Sequence, residues 1–103
     1  MALQLRPNCE YCDKELPPNA LDACICSYEC TFCAECVEQK LFNVCPNCDG
    51  GFVRRPIRPV SEWRIGVSVA KHPASDKPVR LKYALDEIEA HSARIRNIPA
   101  EQR

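Results

Sequence analysis

Nine cysteines, at positions 9, 12, 24, 26, 30, 33, 36, 45 and 48, fall within the first 48 residues of this 103-residue chain. Nothing else in the sequence restricts the fold as tightly. Three C-x2-C pairs stand out, Cys9/Cys12, Cys33/Cys36 and Cys45/Cys48, and Cys26/Cys30 offers a fourth pair with three residues between. A C-x2-C turn sets two thiolates at adjacent corners of a tetrahedron, and two such turns close a four-sulfur site around one zinc ion. Eight paired ligands predict two all-thiolate zinc sites and leave Cys24 over. Other uses of cysteine fit poorly. A secreted disulfide framework normally has an even count, and the opening M-A-L-Q-L-R-P-N-C lacks an apolar run of signal-peptide length. In the reducing cytosol cysteines stay as thiols, so the expectation is a cytoplasmic metal protein. No βαβ pattern surrounds any pair, as a thioredoxin-like motif requires, and no familiar ferredoxin spacing is present.

A chain of this size has a marginal apolar core, and its first half alone is too small to depend on one. Charge divides the sequence further. Residues 1–48 carry three basic side chains against seven acidic, and residues 49–82 carry eight basic against three. Eight thiolates and two zinc ions add about four more negative charges to the cysteine half, which makes that half a poor nucleic-acid binder.

Composition separates three segments. Residues 1–53 are the cysteine module. Residues 54–80 open on R-R-P-I-R-P, an extended basic connector. A period-2 run at Trp63, Ile65, Val67 and Val69 then predicts a strand over 63–70. Residues 71–80 read as loop. Residues 81–97 predict an amphipathic helix with Leu81, Leu85, Ile88 and Ile95 on one stripe, interrupted by Ser92. Its acidic residues come early, its arginines late, and Pro99 ends it. A helix of this length needs a partner in water, and packing on its own chain as a monomer is the expectation. No segment approaches a membrane span, and no membrane contact is expected.

Spacing alone leaves the ligand pairing open. Cys30 also makes a C-x2-C with Cys33, and Cys33/Cys36 with Cys45/Cys48 makes a single ribbon. From Cys26, however, C-S-Y-E-C-T-F-C-A-E-C, eight residues and then C-P-N-C resembles a RING finger. Cys30 stands where RING domains usually have histidine, Phe32 matches the aromatic before the fifth ligand, and Pro46 matches the proline of the last knuckle. The resemblance implies a cross-brace, treble-cleft-like fold of small α+β type. Cys9, Cys12, Cys33 and Cys36 would hold one ion, and Cys26, Cys30, Cys45 and Cys48 the other. A short helix over about 34–42 would turn Val37 and Leu41 toward Ile25, Phe32 and Phe52. The words L-R-P-N-C-E-x-C, C-T-F-C-A-E-C, C-P-N-C and V-R-R-P-I-R-P are also similar to a family of short cysteine-rich bacterial proteins of unknown function, over about residues 5–75.

The function expected from these residues is a structural-zinc protein-interaction module without catalysis. Four-thiolate sites have no position for a reactive water, and no P-loop or nucleophile elbow is present. His72 and His91 lie outside the module and read as solvated residues. The RING resemblance implies an alternative, ubiquitin-ligase-like protein presenting Tyr11, Leu41 and Pro46. Asp49 stands against it, following the last cysteine where many ligases place a basic residue. Nucleic-acid binding through Arg54, Arg55, Arg58 and Trp63 is the third reading. Cys24 reads as a dispensable thiol.

Overall fold

The computed structural model describes residues 2–103. Three short antiparallel strands form its sheet, in the order β2-β1-β3: β1 Ala23–Ile25, β2 Thr31–Cys33 and β3 Val53–Arg54. Cys24 lies opposite Phe32 on one side and Arg54 on the other. The turn joining β1 to β2 is the Cys26–Cys30 loop. It closes through Cys26 N–H to the Cys30 carbonyl (3.2 Å) and Glu29 N–H to the Cys26 carbonyl (3.2 Å), so the hairpin turn itself delivers two sulfurs.

Helix α1 (Ala34–Cys36) leaves β2 directly and widens into a π-type turn over Val37–Leu41. Its first free amide, that of Ala34, donates to the Asp22 carbonyl at 2.8 Å, as a helix N-terminus requires. The turn stops where Phe42 and Asn43 enter the left-handed region, at φ 50 and 61. Both of their amides return to the Val37 carbonyl, a common way to end a helix.

The core joins Leu16, Ala23, Phe32, Val37 and Leu41 to the buried cysteines. Phe52 packs edge-on against Phe32, with ring centroids 5.4 Å apart and planes at 74°. The expected inner face of α1 is therefore present with Phe32 and Phe52; Ile25 is buried outside that cluster. Arg55 is the strut of the connector. Buried, it donates to the carbonyls of Arg6 (2.9 Å), Leu16 (3.2 Å) and Pro17 (2.9 Å). Burial, and then the nearby Arg58 charge, lower its pKa, yet a guanidinium stays charged in proteins. Arg58 donates to the Leu3 and His72 carbonyls, and Arg54 to that of Leu21.

The strand expected over 63–70 does not form. Arg64 and Val67 make an isolated bridge around a tight turn, with Val67 N–H on the Arg64 carbonyl at 3.1 Å and Gly66 at φ 83. Glycine at the third position of such a turn is what a positive φ selects. The apolar alternation flanks that turn and has no neighbouring strand to cover it: Trp63 is 85% exposed and Ile65 98%.

The C-terminal helix is real but shorter than expected, α2 at Leu85–Ile95. Residues 79–81 stay outside the helix, and tertiary bonds hold them. Val79 exchanges two hydrogen bonds with the Asn8 side chain (2.8 and 3.1 Å), and Leu81 N–H donates to the Glu10 carbonyl at 3.1 Å. The docked face also differs. Leu85 points to solvent, whereas Ile88 (4% exposed) joins the core beside Leu41. Ser92, which interrupts the apolar stripe in sequence, is buried and donates its hydroxyl to the Leu41 carbonyl at 2.7 Å. Beyond α2, Arg96 sits over the Phe42 ring at 4.6 Å, and Arg103 donates to the Asn43 and Asp49 carbonyls (2.8 and 3.0 Å).

Candidate metal centre

Two of the cysteine pairs sit on the same backbone device. Cys9 N–H donates to the Lys14 carbonyl and Asp13 N–H returns to the Cys9 carbonyl, both at 2.8 Å. Cys45 N–H donates to the Gly50 carbonyl (2.9 Å) and Asp49 N–H returns to the Cys45 carbonyl (2.8 Å). Asp13 and Asp49 both take the left-handed conformation, at φ 66 and 70. Aspartate tolerates that region better than most residues, so C-x2-C-D writes the same knuckle twice. The identity of Asp49 thus has a backbone reason. Its carboxylate has a second one, since it pairs with His91 of α2. His91 is accordingly part of the helix-to-module contact and not a freely solvated side chain.

The sulfurs of Cys9, Cys12, Cys33 and Cys36 all lie within 4.8 Å of one another, and those of Cys26, Cys45 and Cys48 form a second such group. The order is interleaved: the first and third pairs share one cluster, and Cys26 meets the last pair in the other. The sequential ribbon of Cys33/Cys36 with Cys45/Cys48 does not occur. Cys12 and Cys33 sulfurs stand 3.8 Å apart. A tetrahedral site with Zn–S bonds near 2.3 Å has S···S edges of about 3.8 Å, so this edge is already at the ion-bound length. None of the nine cysteines is in a disulfide.

Cys30 sits at the rim of the second cluster. Its sulfur accepts from Asn47 Nδ2 at 3.4 Å, but it lies outside the mutually close group. The local field already favours a thiolate here. Hydrogen bonds from the Cys30 and Cys45 thiols, joined by the Tyr28 N–H, hold Cys26 at a pKa of about 3 against the opposing effect of burial. The Cys45 thiol is pushed far up by its hydrogen bonds to Cys26 and Cys30 and then by burial. In the first cluster burial pushes Cys36 well up, with Cys33 adding to it. Each cluster is a close-packed set of sulfurs whose protons a bound cation would displace.

Cys24 belongs to neither cluster. It is a buried core thiol on β1, and burial raises its pKa, as for an inert cysteine.

The family described as "Protein of unknown function (DUF1272)" matches residues 2–58. The chain belongs to that family. It is also similar to the uncharacterized protein R02474 of Rhizobium meliloti (strain 1021), with 58% identity over 73 residues, which are 71% of this chain and 80% of that protein. No solved structure matches it. The DUF1272 match takes in every cysteine and Arg55, while Ile88, His91 and Ser92 lie beyond it. The cysteine clusters make this a metal-binding module.

The surface expected from the RING resemblance is not available. Leu41 is 0% exposed and Pro46 is buried, and Tyr11 is half-buried against the core. The reason is α2: Ile88 and Ser92 sit on Leu41, and Pro46 shares a cleft with Tyr83, Ile88 and His91. Sequence reasoning also passed over Glu10, Asn8 and Asn47, and it read Arg55 as a candidate nucleic-acid contact, not as a buried strut. An acidic residue between two thiolate ligands, with Arg6 four positions earlier, was the available signal for Glu10. Among the described residues, no helix is long and apolar enough to cross a membrane.

Proposed function

We propose that the chain is a zinc-held protein-interaction module with no catalysis of its own. The observation that carries this reading is the four-sulfur cluster of Cys9, Cys12, Cys33 and Cys36, with its 3.8 Å edge. Four thiolates saturate a tetrahedral ion and leave no position for water, the arrangement of structural zinc. Zinc is favoured because all-sulfur tetrahedra suit it and the spacing matches no iron–sulfur pattern. Cys30 is assigned as the fourth ligand of the second site. The contact surface is assigned to the turn within residues 54–80, where Val60, Trp63, Ile65 and Val67 are each exposed. Aromatic anchors on a rigid base are typical of interface centres.

The same geometry weakens both rival functions. A ligase-like protein would have to free Leu41 and Pro46 from α2. A nucleic-acid binder would have to rely on connector arginines that already serve backbone carbonyls.

Affinity capture from the native cell extract, with zinc-loaded wild type and with a Trp63→Ser/Ile65→Ser variant, tests the interaction. A protein retained by the wild type and lost by the variant supports it. Identical captures from both refute the assigned surface, and capture of nuclease-sensitive material would favour the nucleic-acid reading.

A further inference from the structure

We propose that Glu10 couples the two metal sites, so that loading one pre-forms the other; this rests on reading both clusters as metal sites. Glu10 lies between Cys9 and Cys12 in the knuckle of the first site, but its side chain serves the second. One carboxylate oxygen accepts the Thr31 N–H at 2.7 Å, immediately after Cys30, and Arg6 NH1 at 2.8 Å. The other accepts Asn47 Nδ2 at 3.4 Å, from the residue between Cys45 and Cys48. That same Nδ2 donates to the Cys30 sulfur at 3.4 Å. The backbone doubles the link, with Glu10 N–H on the Thr31 carbonyl at 3.0 Å. One residue of the first knuckle therefore holds both segments that present the later ligands of the second site.

The chemistry of the side chain matters. Glu10 is 1% exposed, and a buried carboxylate between two thiolate clusters is electrostatically unfavourable unless paired. Arg6 supplies the pairing. Three donors converge on the two oxygens, which suits an acceptor-only carboxylate; an amide would set one donor against another. The cost of this placement is understandable if the link sets the position of Cys30, the one predicted ligand outside its tight group. An ion in the first site fixes Cys9 and Cys12, hence Glu10, hence Thr31 and Asn47. Linkage makes the effect reciprocal.

Coupling between sites is typically about 5- to 150-fold in affinity. For two equivalent sites, 25-fold coupling holds the singly loaded species to about one sixth of the protein at half-saturation, against about one half for independent sites. The test is native mass spectrometry of the full chain across a chelator-buffered zinc titration, for wild type, Glu10→Gln and Asn47→Ala. The expected result is a small one-zinc population in the wild type that rises toward one half or more in Glu10→Gln. Asn47→Ala, which removes the cross-site arm together with the donor to the Cys30 sulfur, should move the same way, and it decides the matter should Glu10→Gln fail to load metal. A wild type that reaches half singly loaded overturns the coupling, as do variants that weaken both sites equally without raising the one-zinc species. Failure of the wild type to bind zinc at all refutes the metal reading itself, a different outcome from two ions taken up independently.

Discussion

Replacing Ile88 by alanine should release α2 while the metal module stays folded. Ile88 is the apolar side chain of α2 that enters the core, at 4% exposure beside Leu41. Buried Ile→Ala changes cost about 2–5 kcal/mol. Clefts open on both flanks of Ile88, toward Pro46 and Tyr83 on one side and Tyr11 and Phe42 on the other, so water can reach the space left behind. The loss then belongs near the lower end, about 2–3 kcal/mol. What remains in the helix is one hydroxyl bond from Ser92, worth about 1 kcal/mol, and the part-exposed His91–Asp49 pair, worth at most about 1 kcal/mol, with the contacts of Arg96 on Phe42 and Arg103 on Asn43 and Asp49 just beyond it. An 11-residue helix has little stability of its own in water, so the balance for α2 moves toward the undocked state. Hydrogen exchange followed by mass spectrometry reads this directly. Amides of 88–95 should exchange about 30- to 150-fold faster, while those of β1 and β2 keep their protection and the chain keeps its metal. Unchanged protection of α2 would refute the docking argument. Simultaneous loss of metal would show that helix and module are one cooperative unit.

Four further outcomes follow from the geometry. Native mass spectrometry with elemental analysis should find two zinc ions per chain, and full chelation should abolish the near-native structure of residues 1–53, because metal binding there is folding free energy; a folded module surviving chelation refutes this. Cys24→Ser should retain both metals at a cost of about 1–2 kcal/mol for a buried hydroxyl, whereas Cys26→Ser should lose one ion; the reverse, by the same measurement, would shift the ligand assignment. Arg55→Ala should destabilise by about 3 kcal/mol or more through three orphaned carbonyls, read as a lower chelator concentration at the unfolding midpoint, and no effect would make the connector dispensable. Incubation with ubiquitin, activating enzyme and a panel of conjugating enzymes should give no chains above the ligase-free control, with α2 in place or released by Ile88→Ala; zinc-dependent chains would overturn the non-catalytic reading.

The cysteine half was legible because the spacing of thiols is a geometric statement. A C-x2-C turn admits few backbone paths; which pairs interleave was implied by the RING resemblance that Phe32 and Pro46 helped to carry. Past residue 54 the signal was hydrophobic periodicity, and it failed in two instructive ways. Trp63, Ile65, Val67 and Val69 alternate like a strand, but Gly66 turns the chain and no open strand edge lies alongside. In α2 the apolar stripe named Leu85 and discounted Ser92, yet the contact is made at a helix terminus. Leu41 ends the π-type turn, and its carbonyl, which already takes the Val44 N–H at 3.0 Å, still has a lone pair free for a second donor. The Ser92 hydroxyl is that second donor, a contact that a leucine could not make.

That last contact explains why the module presents no RING-like groove. α2 covers this part of the module, with Ser92 on the Leu41 carbonyl and with Ile88 and His91 in one cleft with Pro46. Here the residues after 75 return along the N-terminal segment, tied by Ser75 N–H to the Leu5 carbonyl (2.9 Å), by Val79 to Asn8 and by Leu81 to Glu10. They deliver α2 onto that surface. Polar contacts then fix its register: Ser92 on Leu41, His91 on Asp49, and Arg103 on Asn43 and Asp49. Each ends on a residue at or just past a left-handed turn or a helix end, positions where main-chain carbonyls or short acidic side chains can take a further donor. The irregular backbone demanded by metal knuckles thus creates acceptors, and the C-terminal segment is built to donate to them.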